Sequence, residues 1–278
     1  MIYLITATLS ITILSLTMRK ATLNTENLWG VILGNYLTAA ILTAAITITS
    51  PQTTPTPFTL ALGAITGITY TAGMYLNLTL MGKRGAAITS SIIQLAVIIP
   101  ITTSVLFYGE TITTTQLTGI LLAITSLPLL ASKPNQKLEI DKTILPMILL
   151  TILVVGFSQT SSKILIQSGL ENQNNYFFLA IFTSASLFVT PIAYRNRNQI
   201  KPTDATYGIG VGAFNLLSNR ALLLALTTIP GAIVFPVSSA GSLLMVTIAA
   251  TILFKEKTSR ANITGIIMTL IAVVLINI

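Results

Sequence analysis

Two long apolar stretches of this sequence contain polar side chains at helical spacing. Gln159 and Lys163 are four residues apart in one stretch, so on an α-helix they lie on the same face. Asn215 and Asn219 have the same spacing in another stretch, with Ser218 beside them. Amides, hydroxyls and ammonium groups can bind a polar solute through hydrogen bonds. Two such faces that meet would line one solvated chamber.

The same reasoning gives a wider set of candidate solute-binding residues, because polar side chains at bilayer depth usually face a cavity or another helix. The candidates are Lys163, Arg220, Gln159, Asn215, Ser218, Asn219, Tyr75, Asn77, Gln94 and Ser239. Structural roles compete with binding. Serine and threonine bond back to their own helix, amides bridge helices, a lysine extends to the helix end, and tyrosines pack at interfaces.

The residue types that are absent narrow the chemistry. The 278-residue chain has no cysteine and no histidine, which excludes thiol catalysis, histidine acid–base catalysis and zinc or haem sites built on those side chains. All seven carboxylates fall in linkers or at the ends of apolar stretches. We therefore expect no enzyme activity, no cofactor and no metal. Glu110 and Glu256 are interpreted as turn residues at helix ends, with a gating role as the alternative.

The charge expected in the chamber favours certain solutes. Lys163 and Arg220 are the only basic residues inside the apolar stretches, and no carboxylate accompanies them. A weakly positive chamber would suit zwitterionic or anionic metabolites, such as amino acids or carboxylates. Proton-coupled export of cations usually needs a buried carboxylate. An exporter of cationic or amphipathic compounds is the alternative.

Composition places the chain in a bilayer. Hydrophobic residues make up 53% and charged residues only 8% of the sequence, and the mean hydropathy is +0.84. The net charge of +8 comes from short basic clusters between apolar stretches, which is typical of membrane topology and not of a nucleic-acid surface. The lipid bilayer and a small solute are the expected partners, and the plasma membrane is the expected location.

Ten apolar stretches are long enough to cross the membrane as helices, so we expect an all-α membrane protein with ten transmembrane helices. The predicted spans are 2–18, 28–49, 58–81, 85–107, 112–131, 143–167, 176–194, 205–228, 231–254 and 260–278. Residues 132–142 form the longest polar connection. The expected domains are a five-helix repeat over 1–131, this linker, and a second five-helix repeat over 143–278.

An internal repeat supports that division. Residues 85–130 align without a gap with residues 231–276, and in both copies a glutamate is followed nine residues later by Gly-Ile. Because each half has an odd number of spans, the second half would lie inverted in the membrane, and the two halves would enclose a central cavity. Glycines in the third and eighth spans would allow close helix approach there, unless they reflect only the abundance of glycine in membrane helices. They are Gly63, Gly67, Gly73, Gly208, Gly210 and Gly212.

This arrangement resembles the EamA-type branch of the drug/metabolite transporter superfamily. The residues that carry the resemblance are Gly85, Glu110, Gln116, Gly119, Gly231, Glu256, Asn262 and Gly265, with Lys20 and Lys163 near the end of the first span of each half. The resemblance covers essentially the whole chain and implies a ten-helix carrier. Such a carrier moves small organic solutes by alternating access without ATP hydrolysis, and one chain forms a complete cavity, so we expect a monomer.

The basic residues predict the orientation. Thirteen of the 15 lie in the loops after the first, third, fifth, seventh and ninth spans. The positive-inside rule places those loops in the cytoplasm and both termini outside, whereas the resemblance implies termini inside. A channel is disfavoured because no glycine-rich filter or ring of like charge is present. A non-transporting membrane scaffold is the remaining alternative.

Overall fold

The protein is a bundle of α-helices. The computed structural model describes residues 1–25, 27–50, 54–84, 93, 95–131, 144–253 and 259–277. The ten α-helices in these ranges are α1 (Ile2–Asn24), α2 (Trp29–Thr49), α3 (Pro57–Arg84), α4 (Ile98–Leu106), α5 (Thr114–Ala131), α6 (Leu145–Gln167), α7 (Asn174–Arg195), α8 (Pro202–Leu226), α9 (Gly231–Leu253) and α10 (Arg260–Asn277). Each overlaps one predicted span. The linker 132–142 lies outside the described residues.

The helices have the length and the exposed surface of membrane spans. By length and hydropathy, α1, α2, α6, α7, α8 and α9 can each cross a bilayer, while α5 and α10 are apolar but shorter. The side chains of Ile48 and Leu187 are 85% and 66% exposed, and many other large apolar side chains also face outward. Polar groups are buried instead, as at Thr43 and Thr66, whose hydroxyls donate to the carbonyl four residues earlier in the same helix. This distribution is that of a membrane protein.

Most contacts between helices join the first five helices to the last five. The main pairings are α1 with α8 and α9, α2 with α7 and α8, α3 with α6 and α7, α4 with α6 and α9, α5 with α9 and α10, α6 with α8, and α9 with α8 and α10. The two predicted halves therefore do not form separate bundles, and the core of the protein lies between them.

Glycines allow the closest of these contacts. A Cβ atom on Gly208 would lie 2.8 Å from the Cα of Gly34, and one on Gly212 would lie 2.5 Å from the carbonyl oxygen of Asn35, so α2 and α8 touch backbone to backbone. Gly63 and Gly67 have the same role where α3 meets α7. The close-approach interpretation is thus correct for these glycines. At Gly73 and Gly210 a Cβ would have more room, with nearest contacts at 3.3 and 3.6 Å.

The last helix of each predicted half packs against the other. Gly119 of α5 lies against Ala272 and Ile276, and Gly265 of α10 lies against Leu130. An early residue of each helix therefore meets the late part of its partner, which makes the pair antiparallel. Asn262 at the start of α10 donates to the carbonyl oxygens of Leu129 and Leu130, which satisfies backbone acceptors at the end of α5.

Candidate functional site

A central cavity of about 380 Å³ lies between α1, α3, α6, α8 and α9. Part of its wall is apolar, with Ile11, Leu14, Met74 and Phe235 among the lining residues. The polar lining consists of Thr69, Tyr70, Asn77, Ser158, Gln159, Ser162, Asn215, Ser218, Asn219, Ser238, Ser239 and Ser242. No charged side chain lines the cavity among the residues that the structure describes. Its chemistry is that of neutral amides, hydroxyls and one phenol.

A chain of hydrogen bonds crosses one wall of this cavity. The hydroxyl of Tyr70 in α3 donates to Oδ1 of Asn219 in α8 at 2.8 Å. Nδ2 of Asn219 donates to Oδ1 of Asn215 one turn earlier at 2.7 Å, and Nδ2 of Asn215 donates to Oδ1 of Asn35 in α2 at 3.0 Å. The asparagines therefore connect three helices, as the bridging alternative predicts.

At one end of the bundle an ion pair joins three segments. The ammonium group of Lys163 in α6 contacts the carboxylate of Glu110, and both side chains are nearly buried. The same carboxylate accepts hydrogen bonds at 2.9 Å from the backbone N–H groups of Gly231 and Ala232, the first residues of α9. Glu110 thus satisfies unpaired donors at the positive end of that helix. We call this end of the molecule the Glu110 end.

The local backbone explains how Glu110 reaches this position. Gly109 has φ of +64°, a conformation that glycine adopts without steric cost, and it ends the turn that follows α4. The N–H of Glu110 then donates to the carbonyl of Ser104 at 3.2 Å. The turn therefore directs the carboxylate across the bundle toward α6 and α9.

The environment of Glu110 favours its ionised form. Burial raises the pKa of this carboxyl group, but hydrogen bonds from Lys163, Ala232 and Gly231, together with the positive charge of Lys163, lower it by more. The net result is a pKa below the ordinary value of 4.5. The carboxyl group of Glu110 is therefore ionised at neutral pH.

Comparison with known proteins finds a family match over part of the chain. Residues 1–132 match the model of the EamA-like transporter family. A crystal structure with the same fold matches 99% of this chain and 94% of its own chain, with a TM-score of 0.80 at 11% sequence identity. At that identity the likeness shows the fold alone. No curated protein sequence matches the chain significantly.

The EamA-like family is a family of transporters and not of enzymes, and it belongs to the drug/metabolite transporter superfamily. Together with the apolar spans, the match over residues 1–132 is consistent with an integral membrane transporter. Over those residues it agrees with the family resemblance that the sequence motifs suggested.

The structure brings six of the ten predicted site residues to one cavity. They are Gln159, Asn215, Ser218, Asn219, Asn77 and Ser239. Gln94 lies outside the described residues. The other three are placed elsewhere.

Both predicted cations are held by partners away from the cavity lining. Lys163 is paired with Glu110, and Nη1 of Arg220 donates to Oδ1 of Asn175 at 2.6 Å. Tyr75 is 54% exposed and its ring stacks on Trp29 with centroids 6.4 Å apart. The expectation of a weakly positive chamber therefore does not describe this lining, because Glu110 neutralises one cation and the other points to α7.

Several lining side chains keep their hydrogen-bonding capacity free. In the described part of the chain, the side chains of Asn77, Gln159, Ser162, Ser238 and Ser239 make no hydrogen bond. By contrast, the hydroxyl of Ser158 bonds to Thr69 at 2.8 Å, and that of Ser218 to a carbonyl of its own helix. The free groups come from α3, α6 and α9, so a solute would be contacted from several sides.

Sequence reasoning missed two partners that organise the site. Asn35 ends the asparagine chain and Asn175 holds Arg220, and both are buried with 3% exposure. An asparagine inside the second span is itself a costly polar group, so Asn35 could have been selected by the same rule as the other candidates.

Proposed function

We propose that the protein is an alternating-access carrier for small organic metabolites, built from two inverted five-helix repeats. The helix packing supports this arrangement. We exchange each helix with the one five positions along the chain, so that α1 is exchanged with α6, α2 with α7, α3 with α8, α4 with α9 and α5 with α10. Three observed pairs then turn into other observed pairs: α1–α8 becomes α6–α3, α2–α8 becomes α7–α3, and α1–α9 becomes α6–α4. The pairs α2–α7, α4–α9 and α5–α10 convert into themselves. The remaining main pairings have no counterpart among the main pairings of the residues that the structure describes.

Residue positions repeat at a nearly constant offset. Gly63 and Gly67 in α3 correspond to Gly208 and Gly212 in α8, 145 residues later in each case, and both pairs mark a close helix contact. Gly119 and Gly265, 146 residues apart, make reciprocal contacts between α5 and α10. Equivalent residues in equivalent contacts are what a pseudo-two-fold axis between two repeats requires. We assign these repeats to 1–131 and 143–278, joined by the linker 132–142.

The Lys163–Glu110 pair supports a closed state at one end. It connects α6 and the start of α9 to the turn after α4. The helices α6 and α9 line the cavity, and the turn contacts both of them. A solute could leave at the Glu110 end only after these contacts separate. If these contacts break at the Glu110 end while equivalent contacts form at the opposite end, the carrier changes from the state closed at the Glu110 end to the state open there.

The neutral lining supports a solute without net charge. An isolated charge in this cavity would have no counter-ion among the described lining residues, and a buried unpaired charge costs several kcal/mol. A zwitterion brings both charges, and the free amide and hydroxyl groups can bind its two ends. We therefore propose zwitterionic metabolites such as amino acids, in preference to the anionic carboxylates that remained open on sequence alone.

Orientation, location and assembly follow the same proposal. The described basic residues Arg19, Lys20, Arg195 and Arg260 lie at the helix ends opposite the Glu110 end, if the helices alternate in direction. The positive-inside rule then places the Glu110 end and both termini outside the cell, in the plasma membrane. One chain provides the whole cavity, which supports a monomer.

The observation that carries the proposal is the neutral polar cavity, lined by helices of both halves. Purified protein in proteoliposomes should give saturable uptake of radiolabelled neutral amino acids, and protein-free liposomes should not. No saturable flux of any amino acid would favour the scaffold alternative. Faster uptake of a quaternary ammonium compound than of amino acids would favour the cation exporter.

A further inference from the structure

Within the proposed carrier, we infer that Tyr70 is a specificity-determining residue that accepts a hydrogen bond from an N–H donor of the solute. We further infer that Asn35 is a positioning residue that, from outside the cavity, holds the Asn215 side chain and through it the amide of Asn219. The inference rests on the proposed function, since it concerns what the cavity selects. It is carried by the direction of the hydrogen bonds between Tyr70 and Asn35.

A backbone carbonyl fixes the orientation of Asn219. One terminal atom of its amide lies 2.9 Å from the carbonyl oxygen of Asn215, which can only accept. That atom must therefore be the nitrogen, although oxygen and nitrogen of an amide are hard to tell apart by position alone. The oxygen of Asn219 then faces Tyr70, and an amide oxygen can only accept. The proton of the Tyr70 hydroxyl is thus committed to Asn219.

The same argument extends to Asn35. Nδ2 of Asn219 also donates to Oδ1 of Asn215, so the nitrogen of Asn215 must face Asn35, whose Oδ1 accepts it. The position of Asn35 is fixed because its backbone carbonyl oxygen lies against Gly212, where α2 and α8 are in close contact. The chain of donors thus begins at Tyr70 and ends at a rigid contact between two helices.

The consequence for the cavity is a fixed acceptor. Nothing in the described part of the protein donates to the oxygen of Tyr70, so its remaining lone pairs are available to a solute. A solute amine or amide N–H can use them, whereas a group that offers only lone pairs or methyl groups cannot. Gln159, Ser162 and Ser239 can supply N–H and O–H donors for the carboxylate of the same solute.

Flux measurements on matched solutes test this inference. Leucine, phenylalanine and serine are compared with their N,N,N-trimethyl derivatives, which keep the positive charge but lack any N–H. The unmodified protein should transport at least one amino acid roughly 10- to 100-fold better than its trimethyl form, as expected for loss of a hydrogen bond to a charged group. Tyr70→Phe should lose most of this preference. Tyr75→Phe is the matched control in the same helix and should behave like the unmodified protein, because Tyr75 lies outside the lining.

The role of Asn35 is tested by the same ratio, the transport of an amino acid relative to its trimethyl derivative. Asn35→Leu removes the terminal acceptor and should lower the preference for the N–H form, mainly by raising KM for the amino acid. Asn35→Asp keeps an acceptor oxygen and should preserve the preference. A purely structural role for Asn35 would instead lower the transport of both solutes together and leave their ratio unchanged in Asn35→Leu.

The outcomes distinguish a failure of the roles given to Tyr70 and Asn35 from a failure of the proposed function. Equal transport of amino acids and trimethyl derivatives by the unmodified protein, or an unchanged ratio in Tyr70→Phe, would overturn the role of Tyr70. A loss of preference in both Asn35 variants would overturn the positioning role of Asn35. An absence of flux for every probe in the unmodified protein would instead contradict the proposed function.

Discussion

Lys163 shows how the surroundings of a residue decide its role. A lysine inside an apolar stretch can line a binding site, extend to the membrane surface or pair with a carboxylate, and its sequence position fits all three. In the structure it pairs with Glu110, which lies 53 residues earlier. Neither residue is then available as a free charge. The chemistry of the cavity falls to the neutral groups around Tyr70 and Gln159.

Substitution of Glu110 should destabilise the protein in a pH-dependent way. Glu110→Gln leaves Lys163 buried without a counter-ion, and loss of one partner from a buried pair costs about 3 kcal/mol. Because the pKa of Glu110 is depressed, this stabilisation is complete above the ordinary value of 4.5 and is lost as pH falls through the lower value in the folded protein. Thermal unfolding in detergent should therefore show a lower midpoint for Glu110→Gln from pH 8 to pH 5, and a shrinking difference below about pH 4.

A matched substitution controls this measurement. Glu171→Gln changes an exposed carboxylate and should leave the unfolding midpoint unchanged at every pH. A Glu110→Gln protein as stable as the unmodified one at pH 7 would contradict the role given to the ion pair.

At the scale of helices, glycine spacing determines which elements can touch. Gly212 permits contact between the backbones of α8 and α2. At Gly210, two residues earlier, an added Cβ atom would be 3.6 Å from its nearest neighbour atom. Both glycines were predicted to lie at a seam between helices. Only the structure distinguishes them, because the direction of a residue on a helix matters only once the neighbouring helix is in place.

This difference predicts opposite effects of the same substitution. Gly212→Ala should destabilise the protein by about 1–3 kcal/mol, since the added methyl group overpacks the contact with α2. Gly210→Ala should be neutral or stabilising by up to about 1 kcal/mol, because alanine favours helix and the space is open. Thermal unfolding of the two variants in the same detergent compares them directly. Equal destabilisation would show that α2 and α8 do not meet as described.

The sequence predicts where the helices lie better than it predicts which helices and side chains pack against each other. Apolar length and polar punctuation locate ten helices, because these depend on local sequence and bilayer thickness. Six of the ten candidate residues lie together at one cavity, as expected of polar side chains at bilayer depth. The partners of Lys163 and Arg220 could not be predicted, because Glu110 and Asn175 reach them only through helix packing.

For the molecule as a whole, the account requires that one cavity be reached from two sides in turn. The contact between Lys163 and Glu110, the repeated packing and the position of the cavity between the halves support the proposed carrier with two states. A channel would be open to both sides at once, and a scaffold would need no access at all.

Cysteine accessibility tests this requirement most directly, because the chain contains no cysteine of its own. Ser239→Cys places one thiol in the cavity lining, and a membrane-impermeant maleimide is applied to each side of the membrane in turn. We predict labelling mainly from the side opposite the Glu110 end. With Glu110→Gln added, labelling from the Glu110 side should rise while labelling from the opposite side falls. Labelling that stays equal from both sides, or that stays restricted to one side in both proteins, would contradict alternating access.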